Sequence, residues 1–275
     1  MKKLLALTLA VLMVLSLAAC GPKEGGANAS ADASGNPDVS IDAESLIFAV
    51  EAGSAGEAVA LKNGWTVNSV TSQADALMEV AAGTSDAAII DLLMAGAMIG
   101  EGTSYPSLTY TDKLTTEEYG VGCRKGSDLA AYINGVFAEA YADGSLQATA
   151  ETYGVQESLL EQKSEVIEAP TGGDVEYIQG KGKLIVGITE FEPMDYLDDN
   201  GQWVGFDADM AKLVAQKLGV DCEFIVIDWD NKIFELDSKK IDVVWNGMTL
   251  TDEVTSAMEC TVPYCNNAQV VVVAK

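Results

Sequence analysis

Apolar residues along this chain follow two rhythms. Continuous runs occupy Leu46–Val50, Ala87–Ile90, Leu184–Ile188, Cys222–Ile227, Ile241–Trp245 and Val270–Ala274. Bounded by Gly, Asp or Asn, such runs predict buried strands, and Tyr119–Cys123 is a further candidate. Between them the apolar positions recur at helical spacing. Ala74–Ala82 brings Leu77, Val80 and Ala81 together before Gly83, and Asp128–Ala142 aligns Leu129, Ile133, Val136, Phe137 and Ala140 before Gly144. Phe206–Leu218 does the same with Phe206, Met210, Leu213, Val214 and Leu218, and stops at Gly219. A glycine just past the last periodic residue is a helix stop. Strands alternating with amphipathic helices predict an α/β fold of mostly parallel sheets covered on both faces.

One unit occurs twice. ALMEVAAGTSDAAIID (76–91) and KIFELDSKKIDVVWNG (232–247) each read helix, turn, Asp, apolar strand, polar end. Any α/β protein repeats such a unit, so alone it only suggests two similar lobes. In open α/β sheets ligands bind beyond the carboxyl ends of the strands. Those ends carry Glu51–Gly56, Asp91–Leu92, Glu190–Met194, Trp229–Asp230 and Asn246–Thr249. Acids, aromatics, small hydroxyls and glycines suit a small polar ligand, and no nucleophile, redox or phosphate-loop motif lies among them.

Composition narrows the picture. The 275 residues hold 16 basic and 42 acidic side chains, a net charge of −26, and no histidine. That charge opposes nucleic acid and anionic surfaces. The missing imidazole removes His-based triads and the commonest metal ligand, so no cofactor and no metal are expected. Met-Lys-Lys precedes the uncharged stretch Leu4–Ala19, the pattern of an export signal and too short for a membrane span. The run ends in Leu-Ala-Ala-Cys20-Gly, similar to a bacterial lipobox, which implies lipid attachment at Cys20. Residues 21–37 are small and polar and read as a flexible tether. Cys260 and Cys265 could pair in an oxidising compartment, but spacing leaves this open.

The segments GKLIVGITEFEPMDYLDDNGQWVGFDADMAKLVAQKLGV, IDVVWNGMTLTDE and VPYCNNAQVVVVAK resemble the first lobe of the polar amino-acid binding proteins of ABC importers. LIFAVEAGSAGEA, ALMEVAAGTSDAAIIDLLMA and EEYGVGCRKGSDLAAYINGVFAEAYADGSLQATAETYGV resemble the second lobe and closing part of the same family. The resemblance implies a two-lobed type II periplasmic-binding fold with the ligand in the cleft. In the family the GKLIVG-like segment comes first, whereas here it follows the second-lobe segments. A circular permutation is therefore expected: residues 38–117 as lobe 2, 118–275 as lobe 1, and 161–181 as the linker joining the old ends. One covalent hinge crossing, near Thr116–Gly122, is expected to remain.

The resemblance also implies site residues. Phe191 would stack on the ligand beside Glu190, and Trp229 would face the cleft. Asn246, Gly247 and Thr249 match a turn that meets the ligand ammonium and carboxylate. Ser54 and Ala55 would offer a helix start to a carboxylate, and Asp91 would take the ammonium. The family's carboxylate-clamping Arg is Val254 here, and the sole arginine, Arg124, falls in a turn without a clamp role. Acids at Asp91, Glu190 and Asp230 would favour a cationic ligand. The implied function is a monomeric, lipid-anchored receptor on the outer face of the cell membrane, delivering an amino acid or related amine to an ABC permease and performing no catalysis. Two alternatives stand beside it: a sensor module for a membrane signalling partner, and a dehydratase-type enzyme on the same fold.

Overall fold

The computed structural model describes residues 43–163 and 173–275. The expected signal 1–20, the lipid-bearing Cys20, the tether 21–37 and residues 164–172 of the expected linker lie outside the described residues. The chain begins with β1 (Ile47–Glu51), α1 (Ala55–Lys62), β2 (Thr66–Val70), α2 (Gln73–Ala82), β3 (Ala87–Asp91), α3 (Leu92–Met98) and β4 (Leu108–Lys113). Then follow β5 (Glu117–Tyr119), β6 (Gly122–Cys123), α4 (Leu129–Asp143), α5 (Ser145–Tyr153), α6 (Asp174–Lys181), β7 (Lys183–Ile188), β8 (Tyr196–Leu197), β9 (Trp203–Val204) and α7 (Phe206–Leu218). The rest is β10 (Asp221–Val226), α8 (Lys232–Asp237), β11 (Val243–Val244), α9 (Asp252–Ala257), β12 (Glu259–Cys260), β13 (Cys265–Asn267) and β14 (Gln269–Ala274).

These strands build two mixed sheets with helices packed against them, the α/β architecture that the alternating pattern predicts. The first sheet runs β2-β1-β3-β14-β4, with β1 parallel to β2 and β3 and β14 antiparallel to β3 and β4. The second runs β10-β7-β11-β6-β12. Its first three strands are parallel and its last two antiparallel. Each sheet carries one lobe, named in chain order: the first lobe, expected as lobe 2, carries the first sheet, and the second lobe, expected as lobe 1, carries the second.

Local chemistry sets the element ends. Ser72 caps α2 by accepting from Asp75 N at 3.0 Å, and Gly83 ends it in the left-handed region at φ 73°. Ser54 caps α1 by accepting from Glu57 N at 3.1 Å, while the Glu57 carboxylate accepts from Gly53 N at 2.8 Å. This is a variant of the capping box, and it fixes the loop between β1 and α1.

Two expectations are corrected. The Val270–Ala274 strand does not lie in the second-lobe sheet, where residues 118–275 were expected, but inserts between β3 and β4. A position flanked on both sides needs apolar residues on both faces, and Gln269–Val272 of β14 are all buried. In consequence, among the described residues the chain passes between sheets twice, not once. The Tyr119–Cys123 run splits into β5 and β6, and β5 pairs antiparallel with β13 through Tyr119↔Cys265 and Glu117↔Asn267. This ribbon is the hinge: β5 leads from β4 to β6, and β13 leads from β12 to β14.

The second lobe is braced from within. Arg124 donates to Asp174 Oδ2 at 3.1 Å and to Ile241 O at 2.9 Å, and Lys181 pairs with Asp242 Oδ2 at 2.5 Å. The only arginine thus ties α6 to the residues just before β11 and does not line the cavity described below. The four described cysteines are free thiols, Cys260 and Cys265 included. No helix among the described residues is long and apolar enough to cross a membrane.

Candidate functional site

A cavity of about 440 Å³ opens between the strand ends of the two sheets. From the first lobe it is lined by Glu51, Gly53, Ser54, Ala55, Gln73 and Asp91. From the second lobe come Phe191, Trp229 and Lys232, the turn Asn246–Thr249, and Thr251–Val254. Eight of the nine expected ligand-binding residues therefore meet here. Glu190 does not: it is exposed and outside the lining, whereas the next residue, Phe191, is buried and lines it.

Phe191 is buried and meets Tyr119 edge-on with ring centroids 6.3 Å apart. Gly247 lies against it with φ 55°, and a Cβ there would come within 2.5 Å of Phe191 Cε1. Only glycine fits both the conformation and the contact. Gly247 N donates to Asp207 Oδ2 at 2.6 Å, so the turn is pinned from below. Asn246 uses its whole side-chain inventory inside the protein. Its Oδ1 accepts from Thr189 N at 2.8 Å and Thr189 Oγ1 at 2.7 Å. Its Nδ2 donates to Thr189 O at 2.9 Å and Asp195 Oδ2 at 2.8 Å. The Asn246 side chain is thus a strut, its oxygen and nitrogen both bound within the protein.

Asp91 is equally occupied. Its Oδ1 accepts from Tyr119 OH at 2.8 Å, from Gln269 Nε2 at 3.1 Å and from Asn267 Nδ2, and its Oδ2 accepts from Gln73 Nε2. Two of these donors, Tyr119 and Asn267, sit on the hinge strands, so Asp91 ties β3 to the hinge. Burial, then Glu117 nearby, pushes its carboxyl up to about 7. Glu117 Oε2 shares the Asn267 and Gln269 donors and accepts from Thr249 Oγ1 at 3.1 Å.

Among the lining residues outside the expected set, Glu51, Gln73 and Lys232 are buried polar groups. Glu51 is 3% exposed, and its Oε1 has no hydrogen-bond partner. Burial, then the charge of Asp91, pushes it up to about 8. Lys232 is 8% exposed and reaches across the cleft to donate to Gly53 O at 2.9 Å. It also donates to Trp229 O at 3.2 Å and lies 5.0 Å from the Trp229 ring centroid. Burial pulls its ammonium below the usual lysine range. At the same edge a Cβ on Gly53 would lie 2.7 Å from Asp230 Cα, so the lobes touch here backbone to backbone. Ala55 N and Gly56 N, at the start of α1, take no acceptor among the described residues. Val254 lines the cavity and packs in the apolar cluster with Trp229, Met248 and Met258.

Sequence comparison locates this architecture. Residues 184–275 match the family model of the bacterial extracellular solute-binding proteins, family 3. Those residues are similar to the family 3 solute-binding proteins. The L-cystine-binding protein TcyJ of Escherichia coli is 34% identical to the chain over 88 residues, 32% of this chain and 33% of the relative. The arginine-binding extracellular protein ArtP of Bacillus subtilis is 40% identical over 75 residues, 27% of this chain and 29% of the relative. The chain spans about a third of the length of the curated relatives it matches. A solved structure, the arginine-bound domain 1 of TmArgBP, is 33% identical over 34% of this chain and 83% of its own, with a TM-score of 0.29. The family 3 segment supplies Phe191, Trp229 and the Asn246–Thr249 turn. The Glu51, Ser54, Ala55 and Asp91 wall lies outside the matched residues. Glu51 and Lys232 were detectable in sequence only as polar residues at strand and helix ends, and nothing there marks one as unpartnered and the other as crossing the cleft.

Proposed function

We propose that the chain is an extracytoplasmic receptor that captures an amino acid or related small amine between its two lobes and delivers it to an ABC import permease. The observation that carries this reading is the cavity itself: residues of both sheets converge on it, and the family 3 segment forms one wall. Phe191 and Trp229 flank the ligand. The free backbone amides of Ala55 and Gly56, the Thr249 amide and Lys232 receive its carboxylate in place of the arginine that Val254 cannot supply. Ligand contacts with both walls favour the closed form, which the permease reads. A lipid on Cys20 holds the receptor at the outer face of the membrane, and it works as a monomer without catalysis.

The order of the lobes is read as a circular permutation. Supporting it, the family 3 segment is the last third of the chain, while the opposite wall precedes it. On either side of residues 164–172 the chain rests on the second lobe: Leu160 N donates to Tyr264 O at 2.9 Å, and Val175 N donates to Asp128 Oδ1 at 3.0 Å. A short linker there suffices to join old ends.

Calorimetric titration of the protein with the twenty amino acids tests the reading. Saturable one-to-one binding with the amino acid recovered unchanged is expected. Chemical conversion of a bound acid would point instead to an enzyme.

A further inference from the structure

Glu51 is a buried carboxylate with an oxygen that nothing in the protein satisfies, at the wall of the cavity. An unpaired buried acid is costly unless a cation or donor completes it. The neighbouring groups do not. Asp91 on β3 carries the same sign and already holds four donors. Lys232 on α8 directs its ammonium at Gly53 O and Trp229 O and makes no ion pair with Glu51 among the described residues. Gln73 on α2 and Thr189 after β7 lie close enough to ease the burial of the carboxyl in part, but Gln73 gives its amide to Asp91, Thr189 gives its hydroxyl to Asn246, and Oε1 stays without a partner.

We propose that Glu51, rather than Asp91, is the acceptor for a positively charged side group of the bound solute, which makes the cavity a site for cationic amino acids. This rests on the receptor reading above. The sequence resemblance assigned ammonium binding to Asp91, but that carboxylate is committed to the hinge, whereas Glu51 presents an open oxygen. A guanidinium or ammonium at Glu51 Oε1 replaces the missing donor with a charge-assisted hydrogen bond. The remaining lining charges agree: Asp252 and Glu253 add two acids, against Lys62 and Lys232. Burial beside Asp91 pushes Glu51 up to about 8, as an acid awaiting a counter-charge would behave.

The test is calorimetric titration of the full chain with two matched pairs, L-arginine against its neutral isostere L-citrulline, and L-lysine against L-norleucine. In at least one pair the cationic member is expected to bind roughly 10- to 100-fold more tightly, the range of a hydrogen bond to a charged group. Glu51→Gln, shown folded by its melting curve, should reduce that preference to less than about threefold. Glu51→Asp, which keeps the charge, should retain part of it. Equal or weaker binding of the cationic member in both pairs overturns the assignment, as does an unchanged preference in Glu51→Gln. Those outcomes leave the receptor reading intact if any amino acid binds. Failure of all twenty to bind overturns both.

Discussion

Buried polar side chains at the cavity divide into struts and open groups. Asn246 is a strut: Asn246→Ala leaves Thr189 and Asp195 without partners and is expected to destabilise the fold by about 3 kcal/mol, read from chemical denaturation. Glu51 is open, and its folded-state pKa is raised from 4.5 to about 8. A group raised on folding contributes most below its unfolded value, and that contribution is lost as pH rises through the folded value. Stability should therefore fall between roughly pH 4.5 and pH 8 as Glu51 is forced to ionise beside Asp91, with Lys232, Gln73 and Thr189 only partly offsetting the cost. Glu51→Gln should flatten this decline in melting curves across that range. An identical slope in the variant would assign the decline to other groups. At this scale the sequence placed by position the residues that line the cavity. Phe191, Trp229 and the Gly247 turn all reach the cavity. It was blind to occupancy, because whether a carboxylate is free depends on donors from distant elements, as Asp91 and Glu51 show.

Among the elements, the β5–β13 ribbon carries the most information per residue. Asn267 of β13 and Gln269 of β14 bridge the acids Asp91 and Glu117, so the hinge is held to β3 by side chains, next to the β14–β3 ladder. Asn267→Ala removes a donor that stabilises ionised Asp91. Its folded pKa, already about 7, should rise further, and the loss of stability should be larger at pH 8 than at pH 5. Denaturation at the two pH values measures this. Most strands and helices were legible from periodicity alone. The placement of β14 was not. A run of four valines fits any flanked strand, and what selects the first sheet is the pairing of Gln269 with Asp91 and the polar contacts around it. The split of Tyr119–Cys123 was hidden for a related reason: both halves are buried and apolar, but they pair in different sheets.

For the molecule as a whole, function depends on two lobes meeting across one cavity. They meet at Gly53, whose carbonyl accepts from Lys232 and whose Cα packs against Asp230. Gly53→Val adds bulk within 2.7 Å of Asp230 Cα at φ 71°, so it should hold the edge apart and weaken solute binding by roughly tenfold or more. The same titration reads it out. The proposed permutation rests on motif order, because the apolar pattern within each lobe carries no record of lobe order. The central claim is that this cavity captures an amino acid without changing it. It is tested most directly by melting the protein against the twenty amino acids, cystine, ornithine and putrescine, then recovering the bound compound. The account predicts that one or a few compounds raise the melting point, with about 2.7 kcal/mol of stabilisation at 100 times the dissociation constant, and are recovered intact. A cooperative melt unmoved by the whole panel, or a bound compound recovered chemically altered, would contradict it.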